Sequence, residues 1–142
     1  MNHRIMLVER PDDRLRAVII EGLRNFNATE LVPGHEVEPL AVAIRDQDGS
    51  AIGGLWGRTG MGWLTIELIF VPEALRGQRV ASRLMTVAEA EARRRDCHSA
   101  WLETLNPRAS TLYERLGFTR FAELPDFPAG NSRIFLRKTL SA

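Results

Sequence analysis

The order of apolar and polar positions divides the chain into two halves of different character. Charged and apolar residues mix in R-I-M-L-V-E, Arg4 to Glu9, which predicts a first strand closed by Pro11. Asp12 or Asp13 then stands where a helix N-cap belongs. Leu15, Val18, Ile19, Gly22, Leu23 and Phe26 follow at helical spacing. Asn27 to Pro39, broken by Pro33, Gly34 and Pro39, predicts a loop with at most a helical turn. Leu40–Arg45 and Ser50–Arg58 predict two strands joined by the hairpin turn D-Q-D-G. A second turn, T-G-M-G, leads to Trp63–Val71, long and rich in β-branched and aromatic residues, as in a strand buried on both faces.

After Pro72 the period changes. A loop through Arg76–Val80 precedes a predicted helix to about Arg95, with Val80, Leu84, Val87, Ala88 and Ala92 on one face. Ser99–Leu105 predicts a strand parallel to Trp63–Val71, because a helical crossover joins them. Asn106 and Pro107 form a strong helix start, and Gly117 ends that helix after Leu116. Phe118–Leu124 and Ser132–Leu140 predict two last strands around P-D-F-P-A-G-N. The expectation is one α/β domain over residues 1–142, a mixed sheet flanked by helices, with no repeat or low-complexity tract.

Composition narrows the class without changing that outline. At 142 residues, 44% hydrophobic and 26% charged, the chain can build an ordinary core. A formal charge of +1 gives no one-sided basic field for nucleic acid or an anionic membrane. Arg93, Arg94 and Arg95 end a predicted helix, where they complement its dipole. Cys97 is the only cysteine, which excludes an internal disulfide and a thiolate cluster. It follows a helix, no histidine pairs with it by pattern, and a structural role is expected. His3, His35 and His98 show no metal-ligand spacing, so no metal is expected. The N-terminus lacks the apolar stretch of a signal peptide, and no segment is long enough to span a bilayer. A soluble cytoplasmic protein is expected.

The candidate chemistry begins at L-I-F-V-P-E-A-L-R-G-Q-R-V-A-S-R-L-M, Leu68 to Met85. A strand, a donor-rich turn and a helix N-terminus converge free N–H groups on a phosphate or pyrophosphate, with Arg76 and Arg79 adding charge. A plain strand–loop–helix connection with exposed arginines would carry the same residues.

The segment resembles the coenzyme A pyrophosphate loop of the GNAT acetyltransferases, [Q/R]-x-x-G-x-[G/A]. Arg76 takes the first place, Ala81 the last, and Arg79 stands where glycine is usual. N-P-R-A-S-T-L-Y-E-R-L-G-F, Asn106 to Phe118, resembles the family's second cofactor segment, in the family's order and spacing. The resemblance spans Leu40 to Leu140 well and the N-terminal part loosely. It implies the GNAT fold, a central mixed, mostly antiparallel sheet splayed where acetyl-coenzyme A inserts.

By the same resemblance, the backbone of Ile69, Phe70 and Val71 would pair with the pantetheine arm. Arg76, Gly77, Gln78, Arg79, Val80, Ala81 and Ser82 would wrap the pyrophosphate. Asn106 and Ala109 would line the opposite wall, with Tyr113 reaching the sulfur. Apolar packing would also account for Ile69 to Val71, and a core tyrosine with a satisfied hydroxyl for Tyr113.

Tyr113, the only tyrosine, is the candidate general acid, since a thiolate leaving an attacked thioester needs a proton or a strong donor. Glu67 is the candidate base, because a protonated amine must lose a proton and a carboxylate within an apolar strand is costly without a purpose. It could instead face solvent or pair with an arginine, and Glu103 on the neighbouring strand is a rival. Trp56 and Trp63 would wall the acceptor cleft or pack in the core.

The implied reaction is direct acetyl transfer to an amine of a small molecule or peptide in a ternary complex. A catalytically silent acyl-coenzyme A sensor is the alternative. A nucleotide-binding domain suffers because no phosphate-loop lysine or metal carboxylate follows the loop. Asn25–Glu38 and Pro125–Ser132 are expected to frame the acceptor, and a homodimer is common among proteins that resemble this one.

Overall fold

Two tight turns set the register of the first three strands. Asp46 Oδ1 accepts from the N–H of Asp48 and of Ser50 at 2.9 and 3.0 Å, closing the first turn around Gly49. At the second turn Met61 and Gly62 both take positive φ, 54° and 82°, the conformation that suits the twist of a two-residue hairpin. The result is an antiparallel meander of β1 (Glu38–Arg45), β2 (Ala51–Gly60) and β3 (Trp63–Phe70). The computed structural model describes residues 2–30 and 36–140. It forms two compact units, Met1–His35 and Glu36–Ala142.

In the second unit Pro72 ends the β3 segment, a 3-10 turn covers Glu73–Leu75, and α2 (Val80–Arg94) leads to β4 (Ser99–Thr104). Asn106 caps α3 (Pro107–Arg115), its side chain accepting from the Arg108 N–H at 2.9 Å, and Gly117 leaves the helix at φ 98°. The chain closes with β5 (Thr119–Leu124) and β6 (Arg133–Thr139). The open sheet has the order β1-β2-β3-β4-β6-β5, with only β3 and β4 parallel among neighbours.

Both β4 and β5 run antiparallel to β6, so β4–α3–β5 is a second crossover between parallel strands. It advances along the sheet in the same direction as β3–α2–β4. Right-handed connections therefore put α2 and α3 on one face. The core lies there: Leu84, Met85, Ala88 and Ala92 of α2 bury against Leu55, Leu64, Ile66, Ala100, Leu102 and Leu136, with Tyr113 and Leu116 of α3 packed at its margin.

In the first unit, α1 (Asp13–Glu30) is capped by Asp12, whose carboxylate accepts from the Leu15 N–H at 2.9 Å. The helix continues through Asn27–Glu30, which the sequence reading gives to a loop, since no proline or glycine interrupts it there. Pro33, Gly34 and the rest of 31–35 lie outside the described residues. Arg4–Glu9 forms no strand. Its backbone joins no ladder and Ile5 and Leu7 are exposed, so its apolar pattern has no sheet to satisfy.

Two further expectations change. β3 is buried only in its first half, and Leu68 and Phe70 are 68% and 57% exposed. Val87 lies outside the buried stripe of α2, where Met85 takes its place.

One polar tie locks the layers together. Glu89 of α2, 7% exposed, accepts from Lys138 of β6 at 2.8 Å, and the same ammonium donates to the Leu116 carbonyl at the end of α3 at 2.7 Å. Lys138→Met removes both contacts and leaves Glu89 with Arg93 at 3.8 Å. Stripping one partner from a mostly buried pair should cost about 2–3 kcal/mol in urea unfolding. Adding Glu89→Gln should recover part of that loss; a single-variant cost below about 0.5 kcal/mol would deny the tie a structural role.

Candidate active site

The site originates where β3 and β4 separate. Their ladder pairs Trp63 with Ser99 through Ile66 with Leu102 and goes no further, although both strands continue. Next to the break, β2 and β3 slip register. Trp56 faces Leu68 and Gly57 faces Ile66, so Glu67 is a bulged residue without an opposite number. Glu67 pairs with Arg58 of β2, one of the two readings open to it. Across the parting its rival Glu103 pairs with Arg133 at 3.0 Å.

On the helical face a cleft of about 880 Å³ opens from the end of β3. One wall is Ile69, Phe70 and Val71, another the loop and first turn of α2, and the third is α3 with Leu112, Tyr113, Arg115 and Leu116. The loop gathers hydrogen-bond donors. Arg76 donates through Nε to the Val71 carbonyl at 3.0 Å, folding the loop back on the strand end. Six successive N–H groups, from Gly77 to Ser82, meet no acceptor among the described residues, and the positive end of α2 lies in the same run. A pyrophosphate would satisfy such groups. Gly77 sits at φ 77° with nothing within 4 Å of an added Cβ, so the left-handed backbone rather than crowding calls for glycine.

Arg79 also lies in the left-handed region, at φ 61° and ψ 24°, and occupies the N-cap of α2 without a side-chain cap. An arginine at this place therefore adopts the backbone that glycine would take freely, at a cost of about 1–2 kcal/mol.

Opposite the loop, Tyr113 stands edge-to-face on Phe118, with centroids 6.2 Å apart. Burial raises its phenol above the ordinary pKa of 10.0, so the group stays protonated at neutral pH. Its hydroxyl has no hydrogen-bond partner among the described residues.

Ile69, Phe70, Val71, Arg76, Gly77, Arg79, Val80, Ala81, Ser82 and Tyr113 thus meet around one cleft. Gln78 turns its side chain to the Ala74 carbonyl at 3.0 Å and offers only its N–H. Asn106 is the α3 cap, and neither it nor Ala109 lines the cleft. Glu67 lies at the parting rather than on the cleft wall. The sequence reading omits Leu112, Arg115 and Leu116, of which only Leu116, three residues on from Tyr113, shares its helical face by spacing.

The remaining candidates keep structural places. Trp63 packs edge-on to His98, with centroids 5.5 Å apart at the closed end of the β3–β4 pair, while Trp56 is half-exposed. Cys97 is buried and desolvation raises its thiol pKa, the reverse of an activated nucleophile. Arg93, Arg94 and Arg95 pair with Glu89, Glu91 and Glu38. No group of three or more metal-ligating side chains occurs among the described residues, and no described helix is long and apolar enough to cross a membrane.

Comparison with known proteins agrees with this geometry. The model of the GNAT acetyltransferase family matches residues 7–118. An acetyltransferase of Agrobacterium fabrum is 48% identical over 99 residues, covering 70% of this chain and 72% of the relative. The blasticidin-S acetyltransferase of Streptomyces morookaense is 33% identical over 119 residues, covering 83% and 88%. A crystal structure assigned to an acetyltransferase from Agrobacterium tumefaciens superposes with a TM-score of 0.90 at 38% identity, over 96% of this chain and 99% of that one. An aminoglycoside 6′-N-acetyltransferase complexed with coenzyme A shares the fold, with a TM-score of 0.66 at 18% identity over 95% and 96% of the two chains. With a sheet that parts beside a loop of N–H groups without acceptors and a tyrosine across from it, the chain belongs to the GNAT family of acetyltransferases.

Proposed function

We propose that the protein transfers an acetyl group from acetyl-coenzyme A to a primary amine of a small molecule or peptide, by direct attack in a ternary complex. The observation that carries the proposal is that the loop whose N–H groups from Gly77 to Ser82 lack acceptors shares one cleft with Tyr113. Coenzyme A bound in a similar fold supports the cofactor, and the relative named for blasticidin S supports a small-molecule acceptor. The family match over residues 7–118 supports one catalytic domain.

When bound, the coenzyme supplies an activated thioester. The loop N–H groups hold its pyrophosphate, and backbone groups of Ile69–Val71, freed where β3 leaves β4, orient its pantetheine arm. Tyr113, kept protonated by burial, donates to the departing sulfur. Glu67, held at the parting by Arg58, receives the amine proton directly or through water.

Acetyl-coenzyme A should raise the melting temperature while ATP and NAD do far less, because only the first engages every wall. Equal shifts from all three would leave a generic anion site. Thiol release with a panel of amines then separates an enzyme from a silent binding module.

Tyr113→Phe should keep coenzyme affinity while lowering turnover about 10²–10⁴-fold. Since the phenol pKa is raised, the protonated acid persists through neutral pH and is lost only above the ordinary value of 10.0. The wild-type turnover profile should show no loss from this group below that value, and a Tyr113-dependent fall near neutrality would contradict the assignment.

Arg79 separates backbone from side-chain effects. Arg79→Gly should stabilise the free protein by up to about 1 kcal/mol by releasing the left-handed strain, after the entropy of glycine is set against it. Arg79→Ala keeps the strain and removes the guanidinium, so it should weaken acetyl-coenzyme A roughly tenfold. Calorimetric titration and urea unfolding of both variants test this; tighter binding by Arg79→Ala would refute a phosphate contact.

A further inference from the structure

The sheet has a second face, and neither α2 nor α3 covers it. Paired residues of neighbouring strands share a face, so the register identifies its members. Trp56 pairs with Leu68 and Gly54 with Phe70, while Arg58 links through Thr65 to Trp101. Phe135 stacks on Trp101, with centroids 6.4 Å apart, and Phe121 meets Phe135 edge-on at 6.2 Å. Trp56, Leu68, Phe70 and Phe121 are about half exposed or more. An antiparallel sheet that meets water on one side normally turns polar residues to it, and this one turns aromatic and aliphatic ones. Glu67 and Glu103 on that face are already neutralised by Arg58 and Arg133, so covering them strands no charge.

The chain also carries an apolar surface of the complementary kind. Leu15, Val18, Ile19, Leu23 and Phe26 form one stripe of α1, yet none of its 18 residues is buried. Helices in proteins owe most of their stability to packing such a stripe. From Leu15 to Phe26 the stripe rises about 16 Å. Trp56 on β2 to Phe135 on β6 spans three strand spacings, about 14 Å. Side chains exposed to this degree offer on the order of 100 Å² each. Four on the sheet and five on the helix, in a contact made twice, reach the roughly 1,600 Å² of a standard interface.

We propose that two copies of the chain exchange helices, α1 of each lying across the aromatic sheet face of the other. Both surfaces are exposed in the single chain, so their cover comes from a second molecule. A two-fold exchange satisfies both at once and leaves neither free for a third copy.

Sedimentation of the intact protein should give a dimer of the 16.0 kDa chain. Ile19→Asp puts a charge into the stripe and should weaken dimerisation by at least about tenfold, as should Trp56→Glu on the sheet. Crosslinking identifies the contact without relying on either variant. Leu23→Cys and Trp56→Cys chains are mixed, allowed to exchange and treated with a flexible bis-maleimide, the buried Cys97 being left in place. A covalent dimer should form from the mixture and from neither variant alone. A covalent dimer from Leu23→Cys alone would mean that the helices pair with each other. A crosslink within single chains carrying both substitutions would mean that α1 closes on its own sheet. Either result overturns the proposal, as does a monomeric wild type or a mixture that yields no covalent dimer.

Discussion

Everything distinctive about the site depends on a parallel ladder that stops after four residue pairs. Had β3 and β4 stayed paired beyond Ile66 and Leu102, the sheet would be continuous and the end of β3 would have no free backbone groups. The bulge at Glu67 accompanies the break: one extra residue on β3 shifts its register against β2 and turns the strand. Backbone groups left without a ladder partner must find another one or remain hydrated. On the proposed coenzyme reading, an amide-bearing arm laid into the gap would complete the sheet with ligand in place of protein. The same break explains why the second half of β3 is exposed despite its apolar sequence.

Around that gap the fold sets three rigid supports of different chemistry. The loop contributes donors, since a left-handed residue at Gly77 and another at Arg79 keep successive N–H groups from closing into a regular helix. The α3 wall contributes a protonated phenol with an unoccupied hydroxyl. The other face of the sheet presents Glu67 and Glu103, each held by an arginine from an adjacent strand. Charge is thus separated by layer, with guanidiniums without carboxylate partners in the cleft and neutralised carboxylates across the sheet.

Much of this was legible in the residues. Turns at Asp46–Gly49 and Thr59–Gly62, the Asn106–Pro107 helix start and the Gly117 stop are local chemistry, and each lies where that chemistry places it. The N–H run could be read as well, because it follows from a strand, a breaker and a helix start. What escaped was set by tertiary context. Arg4–Glu9 carries a strand's pattern without a ladder, and no one-dimensional pattern reveals whether a partner exists. The register slip at Glu67 depends on two strands jointly. The left-handed backbone of Arg79 was hidden because arginine seldom adopts it, and the family glycine at that place was the only signal. Arg115 escaped because an arginine in a last helical turn already has a sufficient explanation in the helix dipole.

Lys138 joins three elements: α2 through Glu89, the end of α3 through the Leu116 carbonyl, and β6, on which it resides. β6 is also the strand inserted between β4 and β5, although it follows both in the chain. During synthesis the loop, both helices and the tyrosine therefore emerge before the strand that joins them. The nascent chain holds every chemical group of the site while lacking the site itself. Competence arrives late and at once, when β6 enters between its neighbours and its lysine reaches the two helices.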